Sequence, residues 1–191
     1  MQYILIIIAA IFVNNIVLTQ FLGICPFLGV SNKVKTSMGM GAAVVFVMVL
    51  STTVTWLIYT YILAKFNIEF MQTVTYILVI AGLVQMIELI LKKISPSLYQ
   101  ALGVFLPLIT TNCTILGVAL LVIQKNYNLI TSVLFAIGMS VGFTLALVIL
   151  AGIREHIDKL SIPKGMKGIP IVLIIAGILA MAFMGFSGMI K

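Results

Sequence analysis

Charge is what this sequence has least of. Only 8% of its 191 residues are charged and four are acidic, while 63% are hydrophobic. A soluble domain of this size cannot cover its surface with so few charges. Cysteine is scarce as well. Two cysteines, with no water-soluble domain to cross-link, do not make a disulfide framework. No phosphate-binding glycine loop, zinc-protease histidine pair or nucleophile elbow occurs. The opening "MQYILIIIAAIF" has no basic stretch ahead of its apolar run, and no small-residue cleavage site precedes a polar region. It reads as a first membrane helix that is kept, not a signal peptide.

What the sequence does have is long uncharged stretches. They run over about residues 1–32, 37–64, 70–87, 94–124, 126–153 and 168–190. Each is long enough to cross a bilayer, which takes about 20 apolar residues. The composition predicts an all-α integral membrane protein with six transmembrane helices, surrounded by lipid. No linker divides it, so residues 1–191 form a single membrane domain. The net charge of +7 is spread over short loops. That pattern sets orientation in a membrane and leaves no footprint for nucleic acid.

Stretches one and four are too long. A straight helix of their length would measure roughly 46 Å, against an apolar core of about 30 Å. Each carries polar or helix-breaking residues at its middle. The first has Asn14, Asn15, Thr19, Gln20, Gly23 and Pro26; the fourth has Pro107, Thr110, Thr111, Asn112 and Gly117. Helices 1 and 4 are therefore expected to break into half-helices near the midplane. Broken backbone is tolerated there only where protein or a cavity surrounds it.

The two breaks share a motif. Cys25-Pro26-Phe27-Leu28-Gly29-Val30 matches Cys113-Thr114-Ile115-Leu116-Gly117-Val118, and "ILVIAGLVQM" (77–86) resembles "VLIIAGILAM" (172–181). One unit of three spans has been duplicated. An odd number of spans inserts the second copy from the opposite side. The prediction is two inverted three-helix repeats, about 1–93 and 94–191, related by an axis in the membrane plane. Cys25 and Cys113 become symmetry mates at similar depth.

Proline is favoured at the first helical position, so Cys25-Pro26 predicts Cys25 at the N-cap of a half-helix. Thr111 and Asn112 are cap-type residues beside Cys113. A helix N-terminus carries partial positive charge and unpaired N–H groups, which favour anionic sulfur. Two such thiolates are half of a four-thiolate site, for an iron–sulfur cluster or for zinc, and another chain must bring the rest. As plain packing residues, the same cysteines would be small apolar side chains. Glu88 stands four residues before Lys92, either as an interfacial ion-pair partner or as an ion-path carboxylate. Gly138-x-x-x-Gly142 fits close helix packing. His156 sits between charges and is expected to be solvated.

Four segments, "VNNIVLTQFLGICPFLGVS", "LGVFLPLITTNCTILGVALL", "LAGIRE" and "MAFMGFSGM", resemble the A-type subunits of Rnf complexes. These are membrane-bound, ion-translocating ferredoxin:NAD oxidoreductases. The E-type subunits of the sodium-pumping NADH:quinone oxidoreductase are a sister family with the same layout. The similarity runs end to end. It implies a component of the cell's inner (cytoplasmic) membrane that is not an enzyme on its own. It implies a membrane-embedded 2Fe–2S cluster shared with the homologous E-type Rnf protein, placed in the opposite orientation. Cys25 and Cys113 would be the iron ligands from this chain, with Gly23, Pro26, Thr111 and Asn112 around them. Flavin-carrying and iron–sulfur subunits would be further partners, and electron flow would be coupled to Na⁺ or H⁺ movement.

A different class of function remains open on the residues alone. A small inverted-repeat transporter would bind its substrate or ion with Asn14, Asn15, Thr110, Thr111 and Asn112. Both classes share one topology. Lys33, Lys35, Lys92, Lys93, Arg154, Lys159, Lys164 and Lys167 fall on one side, and Lys65, Lys125 and Lys191 on the other. Eight against three places the first group in the cytoplasm and both termini outside. Reporter fusions after Lys35 and after Lys125 are expected to land on opposite sides of the membrane. Landing on the same side would remove both the six-span count and the inverted repeat.

Overall fold

The computed structural model describes residues 6–66, 69–94, 108–109, 111–159, 165–166 and 168–185. Among them there are only helices and turns. The first segment is helical from residue 6, loosens into a π-turn over Ala9–Val13 and stops at Asn14. After a turn, a short helix α1 occupies Ile24–Val30. Helix α2 spans Val34–Ile58 and runs on through a second π-turn, Tyr59–Leu63. Helix α3 spans Gln72–Ile94, α4 Cys113–Gln124, α5 Leu129–Ile157 and α6 Ile169–Met184.

Among the described residues, three helices are long and apolar enough to cross a membrane: Val34–Leu63, Gln72–Ile90 and Leu129–Ile157. Two shorter apolar ones, Cys113–Gln124 and Ile169–Met184, accompany them. The expected interruption of the first stretch is present at residues 14–23. In the fourth stretch a helix starts afresh at Cys113. Pro107 and Thr110, expected in that second break, lie outside the described residues, as do Lys164, Lys167 and Lys191.

The interior is an apolar core, with Ile16, Met40, Val44, Phe143 and Leu147 fully buried, but the outer surface is apolar as well. Phe46, Phe70, Leu78, Leu89, Ile130 and Met181 point outward, all more than half exposed. Asn15, Ser37, Ser51, Thr55, Asn112, Thr114, Ser132 and Ser140 are buried inside. An apolar outer surface, with small polar residues kept to the inside of the apolar core, suits a lipid surround. Several inward hydroxyls bond their own helix. Thr55 Oγ1 donates to the carbonyl of Ser51 at 2.7 Å, Ser132 Oγ to that of Asn128 at 2.8 Å, and Thr144 Oγ1 to that of Ser140 at 2.8 Å.

The two longest helices, α2 and α5, pack against each other, and α4 leans on α2. Gly41 of α2 lies directly against Thr144 of α5, where any Cβ would collide. Helix α5 also backs the first segment. A Cβ on Gly138 would stand 3.0 Å from Ala10 Cβ, and one on Gly142 3.2 Å from the Ile11 backbone. The Gly138-x-x-x-Gly142 pattern is thus the close-packing face expected of it.

The break at residues 14–15 is closed by Asn15, which is fully buried. Its Nδ2 donates to the carbonyl of Gly142 at 2.8 Å and of Ile11 at 3.4 Å. Its Oδ1 accepts from the amides of Val17 at 3.2 Å and Leu18 at 3.4 Å. One side chain satisfies the backbone groups that the interrupted helix leaves open. Asn15→Leu strands those groups and is expected to lower stability by about 1–3 kcal/mol. Asn14→Leu, at an exposed neighbour, should stay within about 0.5 kcal/mol. Thermal denaturation of the purified protein in detergent measures both.

Candidate functional site

Between the turn at 16–20 and α1 the chain uses two left-handed residues, Phe21 (φ 54°) and Gly23 (φ 79°). Phe21 in that region is strained, whereas Gly23 is not. Space reinforces the choice of glycine. A Cβ on Gly23 would strike Thr114 Oγ1 and stand 3.0 Å from the Phe143 ring and 3.3 Å from Asn112 Oδ1. Gly23 is the N-cap residue of α1.

The expected position of Cys25 therefore needs correction. Gly23, not Cys25, caps the helix, and Cys25 is its second residue with Pro26 third. Proline fits there because the amides of the whole first turn lack intrahelical partners. The left-handed glycine, not the proline, sets where the helix begins. At the second break the expectation holds. Asn112 is the N-cap of α4, its Oδ1 accepts from the Thr114 amide at 3.0 Å, and Cys113 opens the helix. Thr111 sits in the turn before it, exposed.

The two breaks meet. The Gly23 amide donates to Cys113 Sγ at 2.9 Å. Two residues on, the Cα of Cys25 lies within about 7 Å of the Cα of Gly23. The motif glycines cross over in the same way. A Cβ on Gly117 would stand 2.7 Å from Leu22 Cδ1, ahead of Cys25; one on Gly29 would stand 3.9 Å from Leu108 Cδ1, ahead of Cys113. Each half-helix thus presents its motif glycine to the segment that leads into the other cysteine.

Both cysteines are free thiols, Cys25 exposed and Cys113 partly buried. Asn112 Nδ2 and Thr114 Oγ1 are buried beside them with no hydrogen-bond partner among the described residues. No group of three or more His, Cys, Asp or Glu side chains capable of holding a metal ion is gathered among the described residues. The chain offers two sulfurs and an unused amide donor, which is a part-site. Glu88 is elsewhere, half-buried on α3 one turn before Lys92. His156 is exposed, as expected.

A family model described as "Rnf-Nqr subunit, membrane protein" matches residues 3–190. The chain belongs to the Rnf-Nqr subunit family. The A-type subunit of the Na(+)-translocating ferredoxin:NAD(+) oxidoreductase complex of Acetobacterium woodii is 56% identical over 189 residues, 99% of this chain and 98% of that protein. Its counterpart in the ion-translocating oxidoreductase complex of Syntrophotalea carbinolica is 55% identical, over 97% of this chain and 96% of the relative. The counterpart in Vibrio atlanticus is 48% identical, over 100% and 99%. The resemblance drawn from the two cysteine motifs is thereby established along the whole chain.

In this Rnf-Nqr chain the structure adds residues that sequence reading passed over. Thr114 and Phe143 form the wall against Gly23. Arg154 reaches back to the end of α1, donating from Nη1 to the carbonyl of Leu28 at 3.0 Å and to Ser31 Oγ at 3.1 Å. Its sequence signal is an arginine where the long apolar run of the helix ends. Gly23→Ala should push the two breaks apart and lower the melting temperature of the protein. The left-handed backbone alone costs a non-glycine residue about 1–3 kcal/mol. Adding Thr114→Ala removes the struck hydroxyl and should recover part of the loss. Full recovery, or no loss from Gly23→Ala, would contradict the geometry.

Proposed function

We propose that this chain is the A-type membrane subunit of an ion-translocating ferredoxin:NAD oxidoreductase, and that it supplies Cys25 and Cys113 to a 2Fe–2S cluster inside the membrane. On this reading residues 1–191 are one six-span domain of inverted repeats, about 1–93 and 94–191. It sits in the inner membrane with both termini outside. The observation that carries the reading is the Gly23 amide on Cys113 Sγ, which ties the two cysteine-bearing breaks into one place.

The donor set fits a shared cluster. Two thiols are half of the four that such a cluster takes. The missing pair would come from the homologous E-type Rnf protein, placed in the opposite orientation. Exposed Cys25 is open to a partner. So are the polar residues Asn14 and Gln20, which lipid cannot satisfy at that depth. Flavin-carrying and iron–sulfur subunits would complete the route, with Na⁺ or H⁺ as the coupled ion.

A bound cluster would supply a one-electron carrier in the hydrocarbon. The residues of this chain prepare its seat. The Gly23 N–H donates to one ligand sulfur, and hydrogen bonds of that kind raise the potential of an iron–sulfur site. Asn112 Nδ2 is a further donor beside Cys113 without a partner among the described residues. Phe143 and the α2–α5 packing exclude water from behind.

Against the transporter reading, two of its five polar residues already spend side-chain atoms on closing the breaks. Asn15 uses its amide on the break itself. Asn112 uses Oδ1 on the Thr114 amide. Glu88 keeps both of its readings, interfacial partner or ion-path carboxylate.

Iron analysis and electron paramagnetic resonance of the intact complex test the proposal. Cys25→Ser and Cys113→Ser should each abolish or strongly alter the same signal and stop electron flow. Serine poorly replaces the soft thiolate that iron–sulfur clusters prefer. The double variant should be little worse than either single one, since the ligands act together. Unchanged iron content and spectrum in both assembled single variants would make these cysteines packing residues.

A further inference from the structure

Helix α1 has seven residues and measures only about 10 Å. A helix that short does not hold itself in shape; isolated helices need about 12–15 residues even to be marginal. Whatever fixes Cys25 must therefore come from outside α1. Its first end is tied at Gly23. Its second end leaves the carbonyls of the last four residues without intrahelical partners. Two of them find partners on other helices. The Val30 carbonyl accepts from Ser37 Oγ of α2 at 3.3 Å. The Leu28 carbonyl accepts from Arg154 Nη1 of α5 at 3.0 Å.

Arg154 does more than fill an orphan acceptor. The same Nη1 donates to Ser31 Oγ at 3.1 Å, and Ser31 is fully buried just past the helix end. A guanidinium nitrogen carries two hydrogens in a fixed plane, so it can hold two acceptors at once. A cation at a helix C-terminus also complements the partial negative charge there. Arg154 lies 126 residues from Leu28 in sequence, and it is carried by α5, the helix that also backs residues 7–11 and Asn15. The clamp and the rest of the broken segment thus share one rigid support.

We propose that Arg154 is the positioning residue of the Cys25 half-helix: it locks Leu28 and Ser31 to α5 and so fixes where Cys25 presents its sulfur. The effect on a cluster rests on the function proposed above; the clamp does not. Arg154 touches neither cysteine, and it acts through the placement of α1.

The test uses the intact complex with two readouts: hydrogen exchange of peptides covering residues 22–32, and the paramagnetic signal with its midpoint potential. Hydrogen bonds to a charged group contribute more than a factor of ten. Arg154→Gln is therefore expected to speed exchange in residues 24–31 by at least about tenfold, broaden the signal and shift its potential. Arg154→Lys keeps the charge without the fork and should give an intermediate exchange rate. Lys159→Gln, at an exposed cation just past the end of α5, should change neither readout. If Arg154→Gln fails to assemble, Ser31→Ala removes one of the two acceptors and should raise exchange by a smaller factor. Unchanged exchange in Arg154→Gln, or in Ser31→Ala where that stands in for it, overturns the clamp. Faster exchange with an unaltered signal and potential overturns the positioning role. An unchanged signal in Cys25→Ser is a separate failure, that of the cluster reading, and leaves the exchange result to decide the clamp.

Discussion

Backbone that stops being helical inside hydrocarbon must find every hydrogen bond within the protein. Lipid offers none, and each unmet N–H or C=O costs several kcal/mol. Most of what is unusual in this chain answers that constraint. Asn15 folds its amide into the gap after the first half-helix and reaches across to Gly142. Asn112 caps the restart at Cys113. Gly23 turns the chain in a conformation only glycine holds without strain, and spends its amide on sulfur. The glycines on α5 and α4 bring the neighbouring chain close enough for these bonds to form.

Because the breaks are closed by each other and by α5, they are also the places where polar chemistry can sit in a membrane. A thiol at either break stands at a helix start, among amide donors. The same positions in a continuous helix would have their amides already paired. Breaking the helix is what leaves an amide, that of Gly23, to meet the Cys113 sulfur.

Much of this was legible beforehand, for identifiable reasons. Uncharged stretches and the duplicated Cys-x-x-Leu-Gly-Val motif are written locally, so the membrane class, the helix interruptions and the family could be read from them. Gly138 and Gly142 announced a packing face by spacing alone. What was misread was local detail with a nonlocal cause. Pro26 suggested a cap at Cys25, but the true start is set by Gly23 pressed against Thr114 and Phe143, about 90 and 120 residues away. Arg154 was counted for orientation because nothing near it in sequence reveals Leu28 or Ser31. A hydrogen bond across 126 residues leaves no periodic trace.

That same separation has a consequence for how the protein is made. Residues 6–31 leave the ribosome well before α5, yet the surfaces that close their break and brace their end are Gly142 and Arg154 on that helix. At about 5–20 residues per second, synthesis reaches those partners roughly 6–25 s later. Through that interval the opening segment has no native backing for its interrupted backbone. The nascent chain must either hold those residues as one unbroken helix and rearrange when α5 arrives, or keep them sheltered in the insertion machinery until then.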